Sequence, residues 1–252
     1  GKFDFIQGDI RDITSMKLAA NGCDYFLHQA ALGSVPRSIE SPSASHDSNV
    51  NGFLNVLMTT KEIKAPLVFA SSSSVYGDHP GLPKKEPTVG CPMSPYAATK
   101  RVKEIYAKVF SDTYDIQVTG LRYFNVFGPR QNPKGPYAAV IPKWIQKFMA
   151  GDNIEIYGDG QTSRDFCYID NVVQANILAA VHGTSQHSGE VFNVAFGEQT
   201  SLIELSQKIV DILNQTSQFS LSWNPSFLPE RPGDVRHSLA NIEYIKNIFS
   251  YQ

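Results

Sequence analysis

Leu67-Val68-Phe69-Ala70-Ser71-Ser72-Ser73-Ser74-Val75-Tyr76-Gly77, followed a loop later by Ser94-Pro95-Tyr96-Ala97-Ala98-Thr99-Lys100, decides the fold. Leu67–Ala70 is a short apolar run that ends in serines, the pattern of a strand buried on both faces of a parallel sheet. Tyr96 and Lys100 are four residues apart, so on a helix they share one face. A phenol with a pKa near 10 moves protons near neutral pH only if something lowers that value. A neighbouring lysine ammonium favours the phenolate, and a serine hydroxyl can bridge the tyrosine to a substrate oxygen. A tyrosine and a lysine at this spacing are common by chance. Opening a helix after a buried strand with a serine end, they are far more specific.

The pattern repeats outward from there. Phe3–Ile6 and Tyr25–Leu27 read as strands, and Ile116–Phe124 as another. Asn49–Met58 is helical, with Val50, Phe53, Leu54 and Leu57 on one face. Val102, Ile105, Tyr106, Val109 and Phe110 form a helical stripe that Tyr96 and Lys100 do not share. Ser201-Leu202-Ile203-Glu204 is a capping box that opens a further helix carrying Leu205, Ile209 and Leu213. Strands alternating with helices predict an α/β, doubly wound Rossmann-type parallel sheet, with ligands beyond the carboxyl ends of its strands.

Composition sets the outer limits. The 252 residues suffice for a large core plus a smaller lobe. The formal net charge is −2, with no bias toward nucleic acid or an anionic membrane. No apolar run approaches the roughly 20 residues of a membrane span. Cys23, Cys91 and Cys167 are widely spaced, without metal-ligand spacing, and read as reduced thiols of a cytoplasmic protein. No metal site is expected.

A resemblance sharpens this. Gly8-Asp9-Ile10-Arg11-Asp12, His28-Gln29-Ala30-Ala31, Ser72-Ser73-Ser74-Val75-Tyr76-Gly77, the Tyr96/Lys100 pair, Leu121-Arg122-Tyr123-Phe124-Asn125-Val126-Phe127-Gly128-Pro129, Arg164-Asp165-Phe166 and Arg231-Pro232-Gly233-Asp234 occur in the order found in the extended short-chain dehydrogenase/reductase family. Within it the chain resembles the nucleotide-sugar 4-epimerases. Gly33-Ser34-Val35-Pro36-Arg37-Ser38 and Gly135-Pro136-Tyr137-Ala138-Ala139-Val140-Ile141-Pro142 are similar to the bacterial UDP-N-acetylhexosamine 4-epimerases that feed polysaccharide assembly.

The resemblance implies roles, position by position. Tyr96 is the catalytic base, Lys100 lowers its pKa and holds the nicotinamide ribose, and Ser72 hydrogen-bonds the reacting oxygen. NAD is the implied cofactor, met by Asp9, Ile10, Gln29, Ala30, Ala31, Asn49, Ser71 and Tyr123 besides Tyr96 and Lys100. A UDP-sugar is the implied substrate, met by Gly33, Ser34, Ser73, Ser74, Asn125, Val140, Trp144, Arg164, Arg231 and Asp234. Ser238 stands where the family's sugar pocket is gated by a tyrosine or by a small residue. A homodimer paired through the helices around Asn49–Met58 and Thr99–Phe110 is expected. The resemblance implies a dinucleotide-binding domain over residues 1–124 and 166–195 and a substrate lobe over 125–165 and 196–252. Plainer readings stand beside these: Gly8-Asp9 as a turn, His28 and Trp144 as core residues, Arg164 paired locally with Asp165, and Ser238 as the cap of a helix near Asn241.

Two departures from the family pattern matter. The glycine-rich GxxGxxG turn that meets the NAD pyrophosphate is absent from this sequence, which is expected to be a fragment. The family's sugar dehydratases carry an Asp-Glu pair where Ser73-Ser74 stand here, so water elimination lacks its proton donors.

Overall fold

The computed structural model describes residues 3–134, 138–216, 220–230 and 235–252. In chain order the elements begin with α1 (Ile13–Ala20), β1 (Phe26–His28), α2 (Val35–Glu40) and α3 (Pro42–His46). A five-residue π-helical turn, Asp47–Asn51, runs into α4 (Gly52–Ile63). Then come β2 (Leu67–Ser72), α5 (Pro95–Tyr114), β3 (Val118–Tyr123), β4 (Asn125–Phe127), α6 (Val140–Met149), β5 (Glu155–Tyr157), β6 (Ser163–Arg164), β7 (Phe166–Tyr168) and α7 (Ile169–His182). The chain closes with β8 (Val191–Val194), β9 (Thr200–Ser201), α8 (Leu202–Thr216), β10 (Ser226–Leu228) and α9 (Glu243–Phe249).

The main sheet is parallel throughout, in the order β1-β2-β3-β8, and it carries helices on both faces. This is the expected doubly wound α/β fold. One face packs Val68, Leu121 and Phe192 against Val172 and Ala175 of α7 and Ile245 and Phe249 of α9. The other packs Phe69 and Val118 against Phe53 and Leu57 of α4 and Ala107 and Phe110 of α5. A third cluster joins Trp144 and Phe148 of α6 to Ile154, Ile156, Leu205 and Ile209. Fully burying each of these large side chains stabilises the fold by about 1.5–3 kcal/mol. Residues Ala240–Tyr251 pack with the main sheet and not with the third cluster.

Local chemistry explains the ends of the elements. Ser94 Oγ accepts from Ala97 N at 3.1 Å and Pro95 takes the first turn, so α5 starts directly before Tyr96. The capping box forms as the sequence predicts: Ser201 N donates to Glu204 at 2.8 Å and Glu204 N to Ser201 Oγ at 3.2 Å. Gly77 follows the serine turn at φ +51°, where an added Cβ would meet the Cys91 carbonyl oxygen at 1.8 Å.

One expectation fails. Phe3–Ile6 is not a strand, and Phe3 is 87% exposed. No described strand lies beside it, so its backbone gains no ladder. The α5 stripe is divided between two faces. Ile105, Tyr106 and Val109 face solvent, while Lys100, Lys103 and Glu104 face the sheet together with Ala107 and Phe110. The inward charges are held by hydrogen bonds and ion pairs that hydrophobic periodicity does not register.

Candidate active site

The carboxyl ends of β1, β2 and β3 open onto a cavity of about 400 Å³. It is lined by Gln29, Ala31 and Gly33 after β1, by Ala70 through Ser73 at the end of β2, by Tyr96 and Lys100 of α5, and by Tyr123 through Asn125 after β3. Residues from distant parts of the sequence therefore meet where a parallel sheet places its ligands.

Ser72 ends β2 in extended conformation and caps the 3-10 turn Ser73–Tyr76. Its Oγ accepts from Ser74 N at 3.2 Å and from Ser74 Oγ at 2.9 Å. Ser72 lies beside the Tyr96 phenol in this cavity. Burial pushes that phenol above its ordinary value, and the nearby Ser72 hydroxyl works against the shift. Lys100 makes no direct hydrogen bond to the phenol among the described contacts. Lys100 Nζ donates to the Ala70 carbonyl at 2.9 Å and lies 5.7 Å from the centre of the Tyr96 ring. Burial brings Lys100 down to about 8, with Glu104 opposing.

Around this group the side chains are held in place. Tyr123 Oη donates to Gln29 at 3.0 Å and accepts from Asn176 Nδ2 at 2.8 Å, and Gln29 Nε2 donates to Asn176 at 2.8 Å. Asn176 was not singled out from the sequence. Its only signal is a polar residue on the otherwise apolar inner face of α7. Asn49 is buried and lines none of the described cavities. Its amide brackets the Leu32 backbone at 2.7 and 3.0 Å and donates to Thr99 Oγ1 at 3.1 Å. It thereby ties the Gly33 loop to α5. His28 is the core residue of the plainer reading, stacked on Phe53 with ring centres 5.4 Å apart.

Two further cavities adjoin. One, about 260 Å³, is lined by Ser73, Ser74, Asn125, Arg164, His237 and Ser238 among others. The second, about 340 Å³, is lined by Asn125, Val140, Trp144, Lys147, Tyr157 and Arg164 among others. Asn125 and Arg164 face both. Trp144 is the core residue of the plainer reading, in the third cluster, and it also borders this cavity. Ser238 donates its backbone amide to Ser163 at 3.1 Å, while Ile242 holds the N-cap position of α9 and Asn241 Oδ1 accepts from Glu243 N. The helix-cap reading of Ser238 therefore does not hold.

Other expected residues lie apart from the cavities. Asp9 is exposed and paired with Arg11 at 2.7 Å, and that guanidinium holds its carboxyl down at about 2. Ile10 packs over Gly52. Ala30 is exposed just beyond β1 and borders none of the described cavities. Ser34 instead caps α2, accepting from Arg37 N at 3.3 Å. Asp165 turns into the core and accepts from the backbone amides of Phe196, Gly197 and Ala240. Arg231, Asp234 and Gly135 through Tyr137 lie outside the described residues.

The first cavity suits the nicotinamide end of NAD. Its strand ends carry small residues, Ala31, Gly33 and Ala70, which leave room for a flat ring, and hydroxyl, amide and amine groups surround them.

Comparison with known proteins agrees. Residues 1–195 match the NAD dependent epimerase/dehydratase family. The chain is 39% identical over 207 residues to a putative UDP-glucose 4-epimerase of Methanocaldococcus jannaschii, covering 81% of this chain and 66% of that protein. It is 32% identical over 255 residues to a UDP-glucose 4-epimerase of Mycolicibacterium smegmatis, covering 100% and 78%. Among solved structures, a UDP-N-acetylglucosamine 4-epimerase of Methanobrevibacter ruminantium, in complex with UDP-N-acetylmuramic acid, superposes with a TM-score of 0.88 at 38% identity, covering 98% of this chain and 76% of that one. With the cavity at the strand ends and the Tyr96, Lys100 and Ser72 cluster in it, these matches establish that the chain belongs to the NAD-dependent epimerase/dehydratase family.

Proposed function

We propose that the protein catalyses NAD-dependent 4-epimerisation of a UDP-sugar, with UDP-GlcNAc and UDP-GalNAc as the exchanging pair. The observation that carries this reading is the meeting of Tyr96, Ser72 and Lys100 in one cavity, with Ser73 in its lining and Ser74 bonded to Ser72. Tyr96 takes the proton of the sugar 4-hydroxyl and later returns it. Ser72, beside the phenol, holds the reacting oxygen. Lys100 keeps a positive charge at the floor of the cavity, where it favours the phenolate. Bound NAD would supply the hydride acceptor and donor that this reaction needs. Its ribose is assigned to Tyr96 and Lys100, and its ring to the space bordered by Ala31, Gly33 and Tyr123.

The neighbouring cavities divide the substrate. The sugar is assigned to the one with Ser73, Ser74 and Ser238. Arg164 and Asn125, which face both, are assigned to the diphosphate, since guanidinium forks fit phosphate oxygens. The uridine is assigned to the cavity of Val140 and Trp144. Ser73 and Ser74 offer no carboxylate, so sugar dehydration has no acid there. The N-acetylhexosamine preference rests on the small Ser238 and on the likeness to the Methanobrevibacter enzyme. A homodimer in the cytoplasm, supplying surface polysaccharide synthesis, completes the proposal. No helix among the described residues is long and apolar enough to cross a membrane.

The test incubates the purified protein and NAD with UDP-GlcNAc and with UDP-Glc separately. Formation of UDP-GalNAc supports the proposal. Conversion of UDP-Glc alone restricts the enzyme to the unsubstituted sugar, and a 4-keto-6-deoxy product overturns epimerisation.

A further inference from the structure

The Ala70 carbonyl, at the end of β2, receives two amines. Lys100 Nζ lies at 2.9 Å and Lys103 Nζ at 3.3 Å. Both side chains are buried. Two ammonium ions on one oxygen in an apolar pocket repel each other strongly, so the pair holds one proton more firmly than two. The sequence places both lysines one α5 turn apart and does not say which carries the charge.

The surroundings differ. Lys103 sits 4.6 Å from the Phe53 ring centre and 5.6 Å from that of Phe69. No described carboxylate pairs with it. His28, on β1, packs on the same Phe53, and burial followed by the two lysines holds its imidazole neutral. Lys100 has Glu104 one turn along its own helix. That carboxylate is fixed from three sides: it accepts from Ser71 Oγ at 2.6 Å, from Arg122 Nε and Nη2 at 2.8 and 2.9 Å, and from Arg101 at 2.9 Å. Ser71 lies between Ala70, which carries the shared oxygen, and Ser72, which meets Tyr96.

We infer that Glu104 is a positioning residue for the Tyr96–Lys100 pair: its charge selects Lys100 over Lys103 as the lysine that carries the proton, and its bond to Ser71 fixes the strand end shared by Ala70 and Ser72. The directions of titration agree. Burial lowers both lysines, Glu104 opposes the shift at Lys100, and the charge on Lys100 adds to it at Lys103. The effect on turnover rests on the proposed epimerase reading, whereas the assignment of the proton does not.

The experiment is a carbon-13 NMR titration of protein labelled at lysine Cε, with Lys100→Met and Lys103→Met to assign the two buried signals. In the parent protein Lys100 is expected to titrate above Lys103. The reverse order overturns the inference, and this comparison needs no variant at Glu104. In Glu104→Gln the Lys100 midpoint is expected to fall by about one unit or more, the usual effect of losing an opposite charge at close range. That variant leaves Arg122 buried without its carboxylate, so Glu104→Gln with Arg122→Met is titrated too. A fall in Lys100 in the folded variants supports the role. A midpoint that stays within about 0.3 units of the parent, against the one-unit effect expected, overturns it and leaves Glu104 a structural partner of Arg122. In turnover, the pH above which kcat declines is expected to move down in the same variants, with KM nearly unchanged. If the epimerase reading fails there is no turnover to follow, and the lysine titration still decides this inference.

Discussion

The Asp165 carboxylate accepts a hydrogen bond from the backbone amide of Ala240, 75 residues further along the chain, at 3.1 Å. It also takes the amides of Phe196 at 3.0 Å and Gly197 at 3.1 Å. One buried side chain thus holds together the segment before β7, the loop after β8 and the approach to α9. Asp165→Ala would leave three amides without an acceptor. Unfolding in urea is expected to show a loss of about 2–5 kcal/mol. Asp165→Asn, which keeps one acceptor oxygen, is expected to lose less.

Tyr96→Phe removes the phenol oxygen and keeps the ring. Folding and NAD binding are expected to survive, and turnover of the UDP-sugar is expected to fall at least about 100-fold, the usual effect of a lost general base. Steady-state kinetics with NAD retention measured on the same sample checks this. Activity within about threefold of the parent, far short of that effect, removes Tyr96 from the role.

Ser238→Tyr places a phenol ring in the cavity shared by Ser73, Ser74 and Ser238. The sugar must turn over between the two hydride transfers, so a 2-acetamido group needs room in both orientations. Overfilling costs about 1–3 kcal/mol, or about 5- to 150-fold in rate. Conversion of UDP-GlcNAc is expected to fall by that factor while UDP-Glc is converted as before. Equal losses on both substrates would make Ser238 structural.

Lys103→Met replaces a buried amine with an apolar chain of similar length. In the folded protein burial drives Lys103 well below the ordinary 10.5. Between the folded and unfolded values the unfolded chain binds more protons, so this residue's destabilising effect is relieved as pH rises toward 10.5. The variant is expected to be more stable than the parent by about 1–3 kcal/mol at pH 7. That margin should shrink on going to pH 10, as followed by denaturant unfolding at each pH.

The outward face of α5 carries Ile105, Tyr106 and Val109, with Ile105 and Val109 each 51% exposed. A two-fold dimer across this face is the proposal, and sedimentation equilibrium at micromolar concentration is expected to give twice the chain mass. Ile105→Glu with Val109→Glu is expected to give the monomer. A monomeric parent chain counts against the dimer.

Much of the fold was legible because its signals are local. Leu67–Ala70 reads as a buried strand, and β2 runs from Leu67 to Ser72. Ser94-Pro95 announces the start of α5, and Ser201 with Glu204 announces α8. Motif order placed Tyr96, Lys100 and Ser72 in one cavity. What escaped was pairing across long separations. Nothing near Asn176 names Tyr123 as its partner, and nothing near Arg122 names Glu104. The inward charges of α5 escaped for the same reason. Hydrophobic periodicity assumes that charges face water, and here Lys100, Lys103 and Glu104 face inward because distant groups satisfy them. The Phe3–Ile6 expectation failed because a strand depends on a neighbour as much as on its own residues.

The π-helical turn Asp47–Asn51 has a consequence for chain length. Such a turn holds one residue more than an α-helix needs. Deleting Ser48 would let α3 and α4 join as a smoother rod with better backbone geometry. It would also rotate Asn49 by about 100°, away from Leu32 and Thr99, and release the loop that carries Gly33. At this point of the chain the more regular helix would give up a wall of the cavity, and an insertion that looks like a defect in the helix is what keeps that wall upright.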